Sequence, residues 1–305
     1  MHDYIIKKMK LVILCPWCAS GGPEALHQLC HVSNELGHDA SILYDNAPHQ
    51  KLVTFFGDVY PLAKRILHAE DDPHTIVVVP ETYRLDTGNA ALFPTSTIIV
   101  WWLSLDLGMP QLAHFLQYPN TYFVCQSNYA MHAVGSLCRN RSFMLTDFVR
   151  PITFPPCIKE DIVIYHARKD HATPYLCIRN NIPCKAIHNV DAEESQRIMH
   201  SAKVYCDLGS HPGTDRMPRE AAMKQCVVIT GKRGSASNDL DVPLKNKSDD
   251  PNEIVALIKN ALANYESEYA SQGPYRDWIS GERARFTTEI VQIISYIAKR
   301  DEFAP

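Results

Sequence analysis

The stretch from Lys203 to Pro243 constrains the chain more than any other. It opens with an apolar strand, Val204 to Leu208, and a polar turn carrying Gly209, Ser210, His211, Pro212 and Gly213. A helix follows with Pro218, Arg219 and Glu220 near its start, and a second apolar strand, Cys226 to Thr230, runs into a glycine-flanked basic loop. Strand, loop, helix, strand and loop in that order is the rhythm of a right-handed βαβ unit in a parallel sheet, whose ligands sit beyond the carboxyl ends of the strands. Both polar loops lie at that end.

The same rhythm runs through the whole sequence. Strands are expected at Leu11 to Cys15, Ala40 to Tyr44, Val53 to Phe56, Thr75 to Val79, Thr97 to Leu103 and Thr121 to Gln126. Several are nearly continuous apolar runs, as strands covered on both faces require. A helix from Pro23 to Leu36 keeps Leu26, Leu29, Cys30 and Leu36 on one face and ends at Gly37. The proline-rich segment Thr146 to Glu160 reads as a linker, after which a second series begins, with strands Ile162 to His166, Cys184 to His188, Val204 to Leu208 and Cys226 to Thr230. Pro251 opens a helix behind the acidic pair Asp249 and Asp250, and Pro274 to Lys299 reads as one long helix with a break near Gly281. A chain of 305 residues suits two α/β domains better than one core. The expected division is 1–150, 151–273 and a terminal helix within 274–305 that packs back on the first domain.

A formal net charge of −4, with acids and bases mixed along the chain, gives no polybasic surface and argues against a nucleic-acid partner. Cys125, Cys206 and Cys226 lie in apolar strand-like runs, as reduced thiols of a cytoplasmic protein would. Leu11 to Cys15 is too short for a signal-peptide core, and no later run approaches a membrane span. Cys15-Pro16-Trp17-Cys18 has the redox CxxC spacing, but a lone pair cannot complete a structural zinc site, and His27 and His31 lack the acid of an H-E-x-x-H motif. No metal is expected.

Three segments carry a resemblance. Ser20 to Ala40 places Gly21 and Gly22 after the first strand and Leu36, Gly37 and His38 before the second; CQSNYA spans Cys125 to Ala130; and HPGTDRMPREAAMKQCVVIT spans His211 to Thr230. Together they resemble the GT-B glycosyltransferases, in particular the retaining group 1 enzymes that use nucleotide sugars in bacterial polysaccharide and capsule synthesis. The resemblance covers almost the entire chain. It implies an α/β architecture of two Rossmann-like parallel-sheet domains facing across a cleft, with the C-terminal helix crossing back.

By that resemblance Glu220 is expected to bond the donor ribose, for which a carboxylate with two acceptor oxygens is suited; read alone, it is a carboxylate stabilising a helix N-terminus. The family carries a partner glutamate about two helical turns earlier, where Pro212 stands here. His211 or Asp215 is expected to take over part of its role, within a donor pocket that also includes Ser210, Gly213 and Arg219. Breaking an anomeric bond builds charge on the departing diphosphate, so preorganised cations lower the barrier. Arg168 and Lys169 in YHARKDH, and Lys232, Arg233, Gly234 and Ser235 in GKRGSAS, are the candidates, each loop being otherwise a basic surface turn. In YHARKDH the family commonly has glycine where Asp170 stands.

On the acceptor side, Gly21, Gly22, Glu81 and Ser104 are expected to line the N-terminal cleft loop. Asp106 and His211 are the catalytic candidates, with Asp106 equally a helix cap and Glu81 equally a turn residue. The combined expectation is a cytoplasmic, metal-independent glycosyltransferase without cofactor. A nucleotide-diphosphate sugar binds the second domain, and a glycan or lipid-linked acceptor binds the first and brings the protein peripherally to a membrane. Two alternatives stand beside it: a non-catalytic scaffold binding a glycan or partner, favoured by Pro212 and the lack of an obvious base, and a nucleotide-sugar epimerase.

Overall fold

A computed structural model of the chain describes residues 8–45, 56–138 and 140–301. The chain divides into two compact units, one running to Asp147 and resuming at Arg283, the other spanning Phe148–Glu282.

The first unit holds strands β1 (Lys10–Pro16), β2 (Asp39–Asp45), β3 (Lys64–Ile66), β4 (Thr75–Pro80), β5 (Thr97–Trp102), β6 (Thr121–Cys125) and β7 (Ser142–Met144). They form one parallel sheet in the order β3-β2-β1-β4-β5-β6-β7. Every residue of β4 and β6 is buried, as apolar runs covered on both faces should be. Helix α1 (Gly21–Glu35) starts two residues before Pro23, at the glycine pair itself, and Gly37 closes it with a φ of +87° that a side chain would resist. Short turns α2 (Leu105–Gly108) and α3 (Leu112–Phe115) follow β5, and α4 (Asn128–Ala130) follows β6, capped by the Ser127 hydroxyl.

The second unit has four parallel strands, β8 (Glu160–His166), β9 (Cys184–Ile187), β10 (Ala202–Asp207) and β11 (Val227–Thr230), in the order β11-β10-β8-β9. Around them lie α5 (Ala172–Arg179), α6 (Ala192–Ser201), α7 (Arg216–Met223), α8 (Pro251–Ala263), α9 (Tyr265–Ser271) and α10 (Gly273–Ser280). Alternation along β10 divides the core. Val204 and Cys206 join Cys177, Ile254 and Ile258 on one face, while Tyr205 joins Ile198, Ala222 and Ile279 on the other. The Asp250 carboxylate accepts the N–H groups of Asn252 and Glu253 at 2.8 and 3.0 Å, the acidic start expected for α8.

Helix α11 (Glu282–Asp301) returns the chain to the first unit. Phe286, Ile290, Ile293, Ile294 and Ile297 form a buried stripe, at roughly 1.5–3 kcal/mol for each fully buried side chain. Three of these isoleucines enclose a small apolar space with Leu11, Leu29, Val78, Ile99 and Leu145. The terminal segment is therefore two helices split at Gly281, and α10 belongs to the second unit rather than to a separate 274–305 element. The boundary after Asp147 falls inside the proline-rich segment, which has no regular structure up to Lys159. Strands β3 and β7 and helix α9, all short, were not expected from the sequence; the strand expected at Val53 to Phe56 lies outside the described residues except for Phe56, which sits in a turn. No described helix is long and apolar enough to cross a membrane.

The second unit is locked where the chain enters and leaves it. Arg219, 1% exposed, meets Glu282 at 3.0 Å, and the same carboxylate accepts the Val149 N–H at 3.0 Å. Arg219 also donates to the carbonyls of Thr214 and Asp215 at 2.7 and 3.1 Å. Removing one partner of such a buried pair leaves an uncompensated charge, so Glu282→Ala should lower unfolding free energy by roughly 3–5 kcal/mol. The double variant Arg219→Met with Glu282→Leu should lose much less. Urea denaturation midpoints measure both.

Candidate functional site

Strands β8, β10 and β11 end at His166, Asp207 and Thr230, and the loops that follow them are tied to one another mainly through backbone groups. Asp170, 1% exposed, accepts the N–H of Ala172 (3.0 Å), the N–H and hydroxyl of Thr173 (2.9 and 2.5 Å) and the N–H of Leu208 (2.9 Å). One carboxylate thus caps the start of α5 and joins the loop after β8 to the loop after β10. The third loop joins them through Gly231 N–H to Asp207 O at 3.0 Å and Ser235 N–H to His211 O at 2.8 Å. Gly234 pairs with His211 at φ +64°, where an added Cβ would strike the His211 carbonyl. Close backbone approach, rather than flexibility, requires glycine there.

A chain of charges runs through these loops. The Asp207 carboxylate accepts the Gly209 N–H at 3.1 Å and the Tyr205 hydroxyl at 3.0 Å. His211, 1% exposed, lies between Asp207 (Nε2 at 3.6 Å) and Asp215 (Nδ1 at 3.9 Å), and Lys169 Nζ sits 2.7 Å from Asp215. Both ring contacts are longer than hydrogen bonds, so charge holds the imidazole in place. Burial opposes charging the ring, yet the two carboxylates outweigh it and raise its pKa above that of an ordinary histidine. Burial likewise opposes the Asp207 carboxylate, and His211, the Gly209 N–H and Lys169 overcome it, leaving that pKa below the ordinary value.

Asp207, His211 and Asp215 each offer one ligand atom within 4.8 Å of the others, so the trio could hold a cation. The two ring nitrogens face different carboxylates, however, and Lys169 already engages Asp215. Lys169 and a protonated His211 would together balance the two carboxylates.

Beside this chain, Arg168 donates to Asn189 Oδ1 at 2.7 Å and lines a cavity of about 250 Å³ with His166, His188, Asp191 and Met217. His166 Nδ1 is buried there without a hydrogen-bond partner, and burial and then Lys169 lower its pKa. Glu220 is the fifth residue of α7, 3.7 Å from the Arg216 guanidinium one turn back. It neither opens the helix nor stabilises its N-terminus, and Asp215, at the N-cap position, turns its carboxylate to Lys169 instead of capping.

Other expected site residues separate. Ser210 is exposed and Gly213 buried. The Ser235 hydroxyl is bound to Gly213 O at 2.6 Å, and Arg219 points into the packing of its own unit, so both are structural rather than open to a ligand. Lys232 is exposed at a loop whose backbone is held by Asp249, and Arg233 lines a different groove, between α5 and α8.

In the first unit, Gly21 and Gly22 begin α1 rather than a free loop. Glu81 is buried and accepts the N–H groups of Leu103 and Ser104 at 3.1 and 2.9 Å, while burial pushes its pKa up to about 7. Its carboxylate braces the end of β5. Ser104 is the N-cap residue of α2, and Asp106 is exposed in the first turn, so Asp106 is not the cap. Cys15 is buried, its thiol pKa raised by burial, and Cys18 is exposed. His27 Nδ1 donates to Pro23 O at 2.6 Å and its Nε2 accepts from the Tyr44 hydroxyl at 2.6 Å, a satisfied core histidine.

Asp207, His166 and Asn189 were not singled out from sequence. An acid closing an apolar strand four residues before a histidine was the available signal for Asp207. Only strand order brings His166 and Asn189 together.

No family model and no curated protein matches the sequence. Solved structures do match the fold. Anabaena HepE, crystallised with UDP and glucose, aligns over 97% of this chain and 100% of its own, at TM-score 0.63 and 11% identity. WaaG, a glycosyltransferase involved in lipopolysaccharide biosynthesis, aligns over 94% of this chain and 99% of its own, at TM-score 0.58 and 8% identity. TarM aligns over 74% of this chain at TM-score 0.57 and 9% identity, and this chain spans 55% of TarM. The chain has the GT-B glycosyltransferase fold.

Two outcomes are expected. Because the His211 pKa is raised, its stabilising contribution is complete below the ordinary value of 6.5 and is lost as pH rises through the shifted value. The stability difference between the native protein and His211→Asn, read by urea unfolding at several pH values, should therefore shrink from pH about 6 to about 9. Gly234→Ala should cost at least roughly 1–3 kcal/mol, read as a lower thermal midpoint.

Proposed function

We propose that the protein is a glycosyltransferase that binds a nucleotide-diphosphate sugar at the carboxyl edge of the second unit and passes the sugar to a glycan or lipid-linked acceptor with retention. The observation that carries the reading is the pair of strand-end cations, Arg168 on the cavity rim and Lys169 held by Asp215, on a GT-B fold. The departing diphosphate gathers negative charge, and Lys169 is placed to exchange Asp215 for it. His211 stays behind as the cation between Asp207 and Asp215, which keeps that exchange from leaving two bare carboxylates together. Glu220 is assigned to the ribose.

Retention is the outcome expected of the group the sequence resembles. There the leaving phosphate itself receives the acceptor proton, which fits the exposed first-turn position of Asp106. The matched charges of the cluster support a reaction independent of divalent metal. Pro212, in place of a glutamate, favours the scaffold reading as the second choice.

Calorimetry with UDP is the first test, since HepE was crystallised with it. Lys169→Ala should weaken binding roughly tenfold, the loss of one charge-assisted contact of about 1.5 kcal/mol. Turnover of a nucleotide-sugar panel should persist in EDTA and give an acceptor product with the donor's anomeric configuration by NMR. Nucleotide binding without sugar release would favour the scaffold, an altered free nucleotide sugar the epimerase, and absence of binding to every nucleoside diphosphate would sink the transferase and the epimerase.

A further inference from the structure

The groove between α5 and α8 is distinct from the cavity beside Arg168. Its volume, about 640 Å³, lies in the range of small-ligand sites. Leu176, Leu208, Ile254 and Val255 make an apolar floor, and Arg179 and Arg233 stand at the rim. Arg179 donates to the Tyr175 hydroxyl at 2.6 Å and lies 5.4 Å from that ring's centroid, a preorganised guanidinium whose partner is neutral. Arg233 is exposed, and among the described residues neither guanidinium is paired with a carboxylate. Asp249, the acid on the lining, is engaged by the Lys232 N–H at 2.8 Å. Tyr175 is 56% exposed, leaving much of its surface at the rim uncovered.

Two fork-shaped cations without carboxylate partners, above an open apolar floor, are complementary to one kind of ligand. The floor takes an apolar body, and the forks take an oxyanion head in the bidentate manner for which guanidinium is suited. We propose that this groove binds a small phosphorylated amphiphile, its chain on Leu176, Leu208, Ile254 and Val255 and its phosphate between Arg179 and Arg233. The inference does not depend on the donor reading, because Arg168 and Lys169 take no part in it.

Octyl phosphate, used below its micelle concentration and titrated calorimetrically into the full chain, is the probe. One saturable site is expected, with 1-octanol and inorganic phosphate each binding at least about tenfold more weakly. Arg179→Ala and Arg233→Ala should each weaken octyl phosphate by about three- to tenfold, and Val255→Asp, which sets a negative charge in the floor, by at least as much. Both arginines are exposed, so these variants should unfold with the native thermal midpoint. Lys169→Ala should leave the affinity within about twofold, which separates this site from the donor edge. Equal affinity for octanol, an unchanged affinity in the double arginine variant, a loss in Lys169→Ala as large as in the arginine variants, or no saturable binding would each overturn the proposal.

Discussion

The buried Arg219–Glu282 pair fixes what the second unit can be. Its carboxylate, on the last residue of the unit, also accepts the N–H of Val149, the second residue, so the two ends of the unit are held together. The guanidinium reaches the Thr214 and Asp215 carbonyls, which end the polar loop after β10. The position of Asp215, and through it of Lys169, therefore depends on a charge pair that meets no solvent. Such a pair is a weak source of net stability, because desolvation cancels much of the attraction. Its effect here is geometric.

The carboxyl edge follows the same logic on a smaller scale. The Asp170 carboxylate makes the turn after β8 a bracket between two loops, reaching the start of α5 and the Leu208 N–H. Lys169 and Arg168 follow β8 at the same edge, one on Asp215 and the other on Asn189. Asp207 and Asp215 face His211 and raise its pKa, where burial alone would lower it.

The sheets were legible because parallel strands announce themselves twice, as apolar runs and as the alternation that sends Cys206 and Tyr205 to opposite faces. The Asp250 cap and the proline-rich connection were equally local and equally readable. The site was legible only in part. Arg168, Lys169, His211 and Asp215 do gather at one edge, because strand ends of a parallel sheet converge. Arg219, expected in the donor pocket, is instead buried with Pro218, Ala221 and Ala222, while Arg216 and Glu220 stay partly exposed. Its partner lies far along the chain, and nothing local to either residue specifies the pairing. Ser235 failed similarly, since its hydroxyl is satisfied by a carbonyl in another loop.

The way the three loops are joined has a bearing on how such a site changes over time. Their connections run through the Asp170 carboxylate and through main-chain groups of Asp207, Leu208, His211, Gly231 and Ser235, while the side chains of Ser210 and Lys232 are exposed. Exposed side chains of this kind can be exchanged singly without loosening the edge that carries them. The chemistry of this edge can then drift by few substitutions, each nearly neutral for folding, while Asp170 and Gly234 are held by the backbone contacts they make.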